Sequence, residues 1–129
     1  MNADPPRPDD DVAPPQLDAQ ALGKLRELDP DGRHGVVAKV LTAFEKSLQQ
    51  ACAEMAAARD AGDVGKIGQL AHKLRSSSAS VGALALSAVC AEVERQVRDG
   101  ETTGLMTRVA QFLTEAGRAL EAVRAILRS

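Results

Sequence analysis

Apolar residues recur at Val37, Val40, Leu41, Phe44, Leu48, Ala51, Cys52 and Met55, in steps of three and four with no breaker among them. That is the α-helical period. It predicts one amphipathic helix from about Arg33 to Asp60, roughly 40 Å long. A helix of this length with a single apolar stripe needs other elements to cover the stripe. A sheet is a poor source of that cover. The chain has no Trp or Tyr, its only aromatic residues are Phe44 and Phe112, and its 44% apolar fraction is mostly Ala, Leu and Val. Ala and Leu favour helix, and a lack of aromatic and β-branched residues disfavours strands.

Further helical segments supply the cover. Gly62 stops the first long helix, and Asp63 is the N-cap of the next, which runs from Val64 to about Val81 and stops at Gly82. Another helix covers roughly Ala83 to Asp99, with Leu86, Val89, Cys90, Val93 and Val97 on one face. Gly100 and "ETTG" follow as a turn. The last helix, about Leu105 to Leu127, repeats the period at Val109, Phe112, Leu113, Ala116, Leu120, Val123 and Leu127. Ahead of all four, "LDAQALGKLREL" predicts a short helix with Asp18 as N-cap and Leu17 and Leu22 at hydrophobic-staple spacing, ended by "DPDG". The expected fold is all-α: an antiparallel up-down-up-down four-helix bundle with a short additional N-terminal helix capping one end. Residues 1–16 hold five of the six prolines and four aspartates, which predicts a flexible tail or linker ahead of a helical domain spanning 17–129.

Several function classes are disfavoured at once. A net charge of −2 gives no overall basic field, so nucleic-acid binding is not expected. No apolar run approaches the roughly 18 residues of a membrane span. The acidic, proline-rich start has neither the apolar core of a secretory signal nor the character of an import peptide. Cys52 and Cys90 lie within apolar periodic segments and read as buried reduced thiols rather than a disulfide or metal ligands. A cytoplasmic, soluble and monomeric protein is expected.

The stretch "LAHKLRSSSASVGAL" raises the functional question. On a helical wheel Val64, Ile67, Ala71, Leu74, Ser78 and Val81 share the core-facing arc, and His72 falls about 130° from its centre. The ring therefore points away from the core. Its neighbours along the helix are Gly65, Gly68, Ser76 and Ala79, all small. Glycine costs a helix roughly 1 kcal/mol relative to alanine, so Gly65, Gly68 and Ser76 give up stability to strip bulk from around an imidazole. Arg75, three residues on, adds a cation.

These residues resemble the signature of histidine-containing phosphotransfer (HPt) domains, a pattern close to A-H-x-L-K-G-S-S/A-x-x-x-G. Ala71, His72, Leu74, Ser77, Ser78, Gly82 and Ala83 match, and "LSAVCAEVERQVRDG" resembles the family's next helix. The resemblance covers about residues 17 to 128. It implies a phosphorelay intermediate of two-component signalling in which His72 accepts a phosphoryl group from the aspartyl phosphate of one receiver domain and passes it to another. A hybrid sensor kinase would be a further partner. Arg75 stands where the family has lysine, keeping the charge while changing reach and hydrogen-bond geometry. Ser76 stands where it has glycine, and its hydroxyl can bond the phosphoryl group or narrow access.

Transfer of this kind needs alignment and charge neutralisation more than covalent help from the protein. An unprotonated imidazole nitrogen is nucleophilic near neutral pH, and Lys73 and Arg75 attract phosphoryl oxygens. No Gly-rich phosphate loop or kinase motif is present, so no ATP-dependent kinase activity is expected. No carboxylate cluster is placed to hold Mg²⁺ beside His72. No cofactor is expected on this chain, and the metal would come with the receiver. Gly68, Gln69, Lys73 and Ala79 are the expected docking contacts. The plainer readings are these: His34 is a solvated residue at a helix start, Ser77 and Ser78 let helices pack closely, and Glu94–Arg98 and Glu115–Arg118 are solvated pairs on their own helices. The alternative function is a non-phosphorylated adaptor that binds a receiver or kinase domain and blocks or scaffolds it, a reading favoured only by Ser76.

Overall fold

The computed structural model describes residues 15–129. The tail expected over 1–16 thus lies, except for Pro15 and Gln16, outside the described residues. Five helices follow in order: α1 (Ala19–Glu27), α2 (Val36–Ala61), α3 (Val64–Val81), α4 (Leu84–Arg98) and α5 (Leu105–Arg128). No strand occurs among the described residues. The four long helices pack in a ring, α2 on α3, α3 on α4, α4 on α5 and α5 back on α2, while α1 packs on α2 and α3. This is the expected bundle.

Short connections force each long helix to reverse on its predecessor. At Gly62 (φ +66°) the chain enters the left-handed region, and the Asp63 N–H returns to Ala58 O at 2.9 Å, closing a Schellman turn. Asp63 then accepts from the Lys66 N–H at 3.1 Å and opens α3. Gly82 (φ +87°) repeats the turn, with Ala83 N–H bonded to Ser78 O at 2.8 Å.

The start of α2 differs from the sequence expectation. The helix begins at Val36, not Arg33, behind Gly35 (φ +61°), which has no side chain to cap it. Asp29 does that work from seven residues away. Its buried carboxylate accepts from the His34 N–H at 3.0 Å and the Val36 N–H at 3.3 Å. His34 lies exposed in this loop, ahead of the helix.

The core runs the length of the bundle. Leu41, Leu48, Met55, Ile67, Leu74, Leu86, Val93, Val109, Phe112 and Val123 are fully buried and come from all four long helices. At one end α1 closes it. Asp18 caps α1 through the Ala21 N–H (3.0 Å), its own N–H bonds Gly82 O (2.8 Å), and Leu17 and Leu22 are buried. Both cysteines are free, Cys90 buried and Cys52 half-buried. Burial pushes the Cys90 thiol up to about 12, with the nearby Glu94 charge adding to the rise, and burial also raises Cys52. No helix among the described residues is long and apolar enough to cross a membrane.

Candidate functional site

Ala71 and Leu74 are buried on the inner face of α3, and that register turns His72 outward, its side chain 71% exposed. Seen from the ring, α4 runs alongside. Glu94 on α4 brings Oε1 to 3.0 Å from His72 Nδ1, and its other oxygen, Oε2, lies 3.4 Å from Arg75 Nη1. One carboxylate thus touches both the imidazole and the cation one turn away. Its own titration is held below the ordinary carboxylate range, first by the His72 hydrogen bond and then by the Arg75 charge. An ionised carboxylate only accepts, so this network assigns the proton to Nδ1 and the lone pair to Nε2. Nε2 has no bonding partner among the described residues.

Glu94 was not legible as a site residue. The sequence paired it with Arg98 on its own helix, but the Arg98 Nε lies 3.3 Å from Asp99, and Arg98 acts on Glu94 only through its charge. Glu115 and Arg118 do pair as expected, at 3.8 Å.

A shallow depression beside the ring is lined by Gly65, Gly68, Gln69, Val97 and Arg98 together with His72 and Glu94. Gly65 leaves open space here, for a β-carbon added to it would meet only Asp63 Oδ1, at 3.7 Å. Gly68 does something else. Its added β-carbon would sit 2.8 Å from Val97 Cγ1, so the missing side chain serves helix packing rather than bare surface alone. Among the described residues no group of three or more His, Cys, Asp and Glu is placed to hold a metal ion.

Over residues 39–126 the sequence matches the family described as the Hpt domain. The chain belongs to the Hpt family.

This Hpt protein shares histidine phosphotransfer in phosphorelay signalling with its family. Its fold resembles that of histidine-containing phosphotransfer protein B (HptB) from Pseudomonas aeruginosa PAO1, with a TM-score of 0.76 and 24% identity, covering 90% of this chain and 97% of that one. No curated protein matches the sequence. Within the Hpt bundle Gln69, Lys73, Ser76 and Ala79 are exposed on the histidine-bearing helix, and Gly68 is half-buried. The Ser76 carbonyl accepts from Ser80 Oγ at 3.0 Å. Ser78 is buried in the bundle, and Ser77 Oγ donates to Leu74 O at 3.3 Å.

Proposed function

We propose that His72 is the phosphoacceptor of this Hpt protein, taking a phosphoryl group from the aspartyl phosphate of one receiver domain and handing it to another. The observation that carries this reading is the ring itself: exposed, anchored through Nδ1, and presenting Nε2 without a competing bond. The Nε2 lone pair attacks phosphorus in line, the N–P bond forms as the aspartyl O–P bond breaks, and the carboxylate leaves. The proton stays on Nδ1, so the positive charge gained by the ring faces Glu94. Onward transfer is the same step in reverse, with a second aspartate attacking.

Arg75, 46% exposed and 3.4 Å from Glu94 Oε2, would turn toward the phosphoryl oxygens and neutralise their charge, and Ser76 would control access one turn along. Gln69, Lys73 and Ala79 form the docking surface, with the outward part of Gly68. Magnesium, brought by the receiver, would add charge neutralisation on the phosphoryl group. We place the protein in the cytoplasm as a monomer, served by a hybrid sensor kinase and without ATP-dependent kinase activity of its own.

The test is to mix the protein with a receiver domain carrying labelled aspartyl phosphate, with Mg²⁺. Label should leave the receiver and appear on this chain in an acid-labile, base-stable form. Tight binding with no transfer would replace the relay reading with the adaptor.

A further inference from the structure

Four of the 18 Asp and Glu side chains and one of the 16 Lys and Arg fall in residues 1–14, so that segment carries a net −3 and residues 15–129 a net +1. The cations of the bundle are not spread evenly. Of the five helices only α3 contains no Asp or Glu, and it carries Lys66, Lys73 and Arg75. Lys66 pairs with Glu54 of α2 at 3.6 Å and Arg75 with Glu94 of α4 at 3.4 Å. Lys73 is exposed and pairs with no carboxylate among the described residues. At about 100° per residue Lys73 flanks His72 on one side and Arg75 on the other. The outward face of α3 is therefore positive on balance, even with Glu54 and Glu94 counted.

The acidic segment joins the bundle at one end of this face. The Asp18 N–H bonds Gly82 O, at the C-terminus of α3, and Pro15 lines a depression with Leu84, Ala85 and Arg118 just beyond it. Arg75 lies roughly 10 Å along α3 from Gly82, and His72 roughly 15 Å. Asp11, Asp10 and Asp9 stand four to six residues before Pro15, which at full extension is roughly 13 to 20 Å of chain. Asp4, eleven residues before it, has a reach of roughly 36 Å. The aspartates can thus span the distance to Arg75, His72 and Lys73. Other cations lie near that end, but Glu115 is already 3.8 Å from Arg118 and Glu45 is 2.8 Å from Arg124. Lys73 has the most to gain from a carboxylate.

We propose that residues 1–14, through Asp9, Asp10 and Asp11, cover the Lys73–Arg75 face beside His72 and compete there with the docking partner. The inference rests on the phosphoacceptor reading for its meaning, but the contact itself does not depend on it.

An exposed ion pair is worth little by itself. Here the tether makes the encounter intramolecular, and a short connection holds the local concentration of carboxylate in the millimolar range. A receiver that needs the same face must first displace the segment. Because every group involved is exposed, salt screens the contact. A variant that loses the same charge elsewhere provides the control: Glu27→Gln, Asp60→Asn and Glu121→Gln neutralise three exposed acids on α1, α2 and α5.

The experiment compares the full chain with its Asp9→Asn, Asp10→Asn, Asp11→Asn variant and with the control variant. Backbone ¹H–¹⁵N spectra at low salt read the contact, and the rate of phosphoryl uptake from a phosphorylated receiver domain reads the competition. Neutralising the three aspartates should move the amide signals of Lys73, Arg75 and their neighbours on α3. Uptake should rise about three-fold, the order of one exposed ion pair. Both differences should vanish at about 0.5 M salt. The control variant should leave the α3 signals and the uptake rate near those of the wild type. Unmoved α3 signals, or shifts confined to α5 around Arg118, would overturn the proposed contact. Moved α3 signals with equal uptake rates, or the same acceleration in the control, would overturn the competition. Moved α3 signals with no uptake by any variant would support the contact and overturn the phosphoacceptor reading instead.

Discussion

The two nitrogens of His72 differ because of one carboxylate on another helix. With its titration depressed by the His72 hydrogen bond and the Arg75 charge, Glu94 contributes stability that is complete above the ordinary value of 4.5 and disappears as pH falls through its lower folded value. Denaturant titrations should therefore show the wild type losing its advantage over Glu94→Gln as pH drops below 4.5. At the opposite extreme, the Cys90 thiol, pushed up to about 12 by burial, stays protonated at any working pH. An aromatic disulfide reagent should leave Cys90 unmodified in the folded protein, react slowly with half-buried Cys52, and titrate both in denaturant. The exposure of His72 was legible in the sequence because facing is a local, periodic property. Glu94 was not, because the register of α4 against α3 depends on contacts such as Gly68–Val97 that no periodicity encodes.

At the scale of elements, Gly62 and Gly82 close similar turns in different surroundings. Both have positive φ, but a β-carbon at Gly62 would meet nothing within 4 Å, whereas one at Gly82 would lie 2.6 Å from the Asp18 backbone nitrogen. Gly62→Ala should cost about 1 kcal/mol for the left-handed conformation alone. Gly82→Ala should cost about 3 kcal/mol, since it also pushes the start of α1 off the bundle. Urea denaturation of the two variants measures the difference, and equal losses would mean that α1 is not held there. The stops themselves were readable, as was the Asp18 cap. The cap on α2 was not: "DPDG" announces a turn, but only the folded loop brings the Asp29 carboxylate back to the Val36 N–H.

As a whole, the described residues form a four-helix bundle that buries most of its apolar side chains, leaves Leu28, Leu84 and Met106 exposed, and presents on α3 an imidazole whose Nε2 is free. The class and connectivity of the bundle followed from stripe lengths and short glycine-closed loops, which leave few other ways to bury four amphipathic helices. In the proposed relay the bundle supplies the platform, and the reactive phosphate and Mg²⁺ would come with the receiver domain that docks on it. Site mapping of the transferred phosphoryl group tests this account most directly. After incubation with a phosphorylated receiver domain, fragmentation mass spectrometry at neutral to alkaline pH should place the added phosphoryl on His72, and His72→Gln should carry none. Phosphoryl on any other residue, or undiminished uptake by His72→Gln, would contradict it.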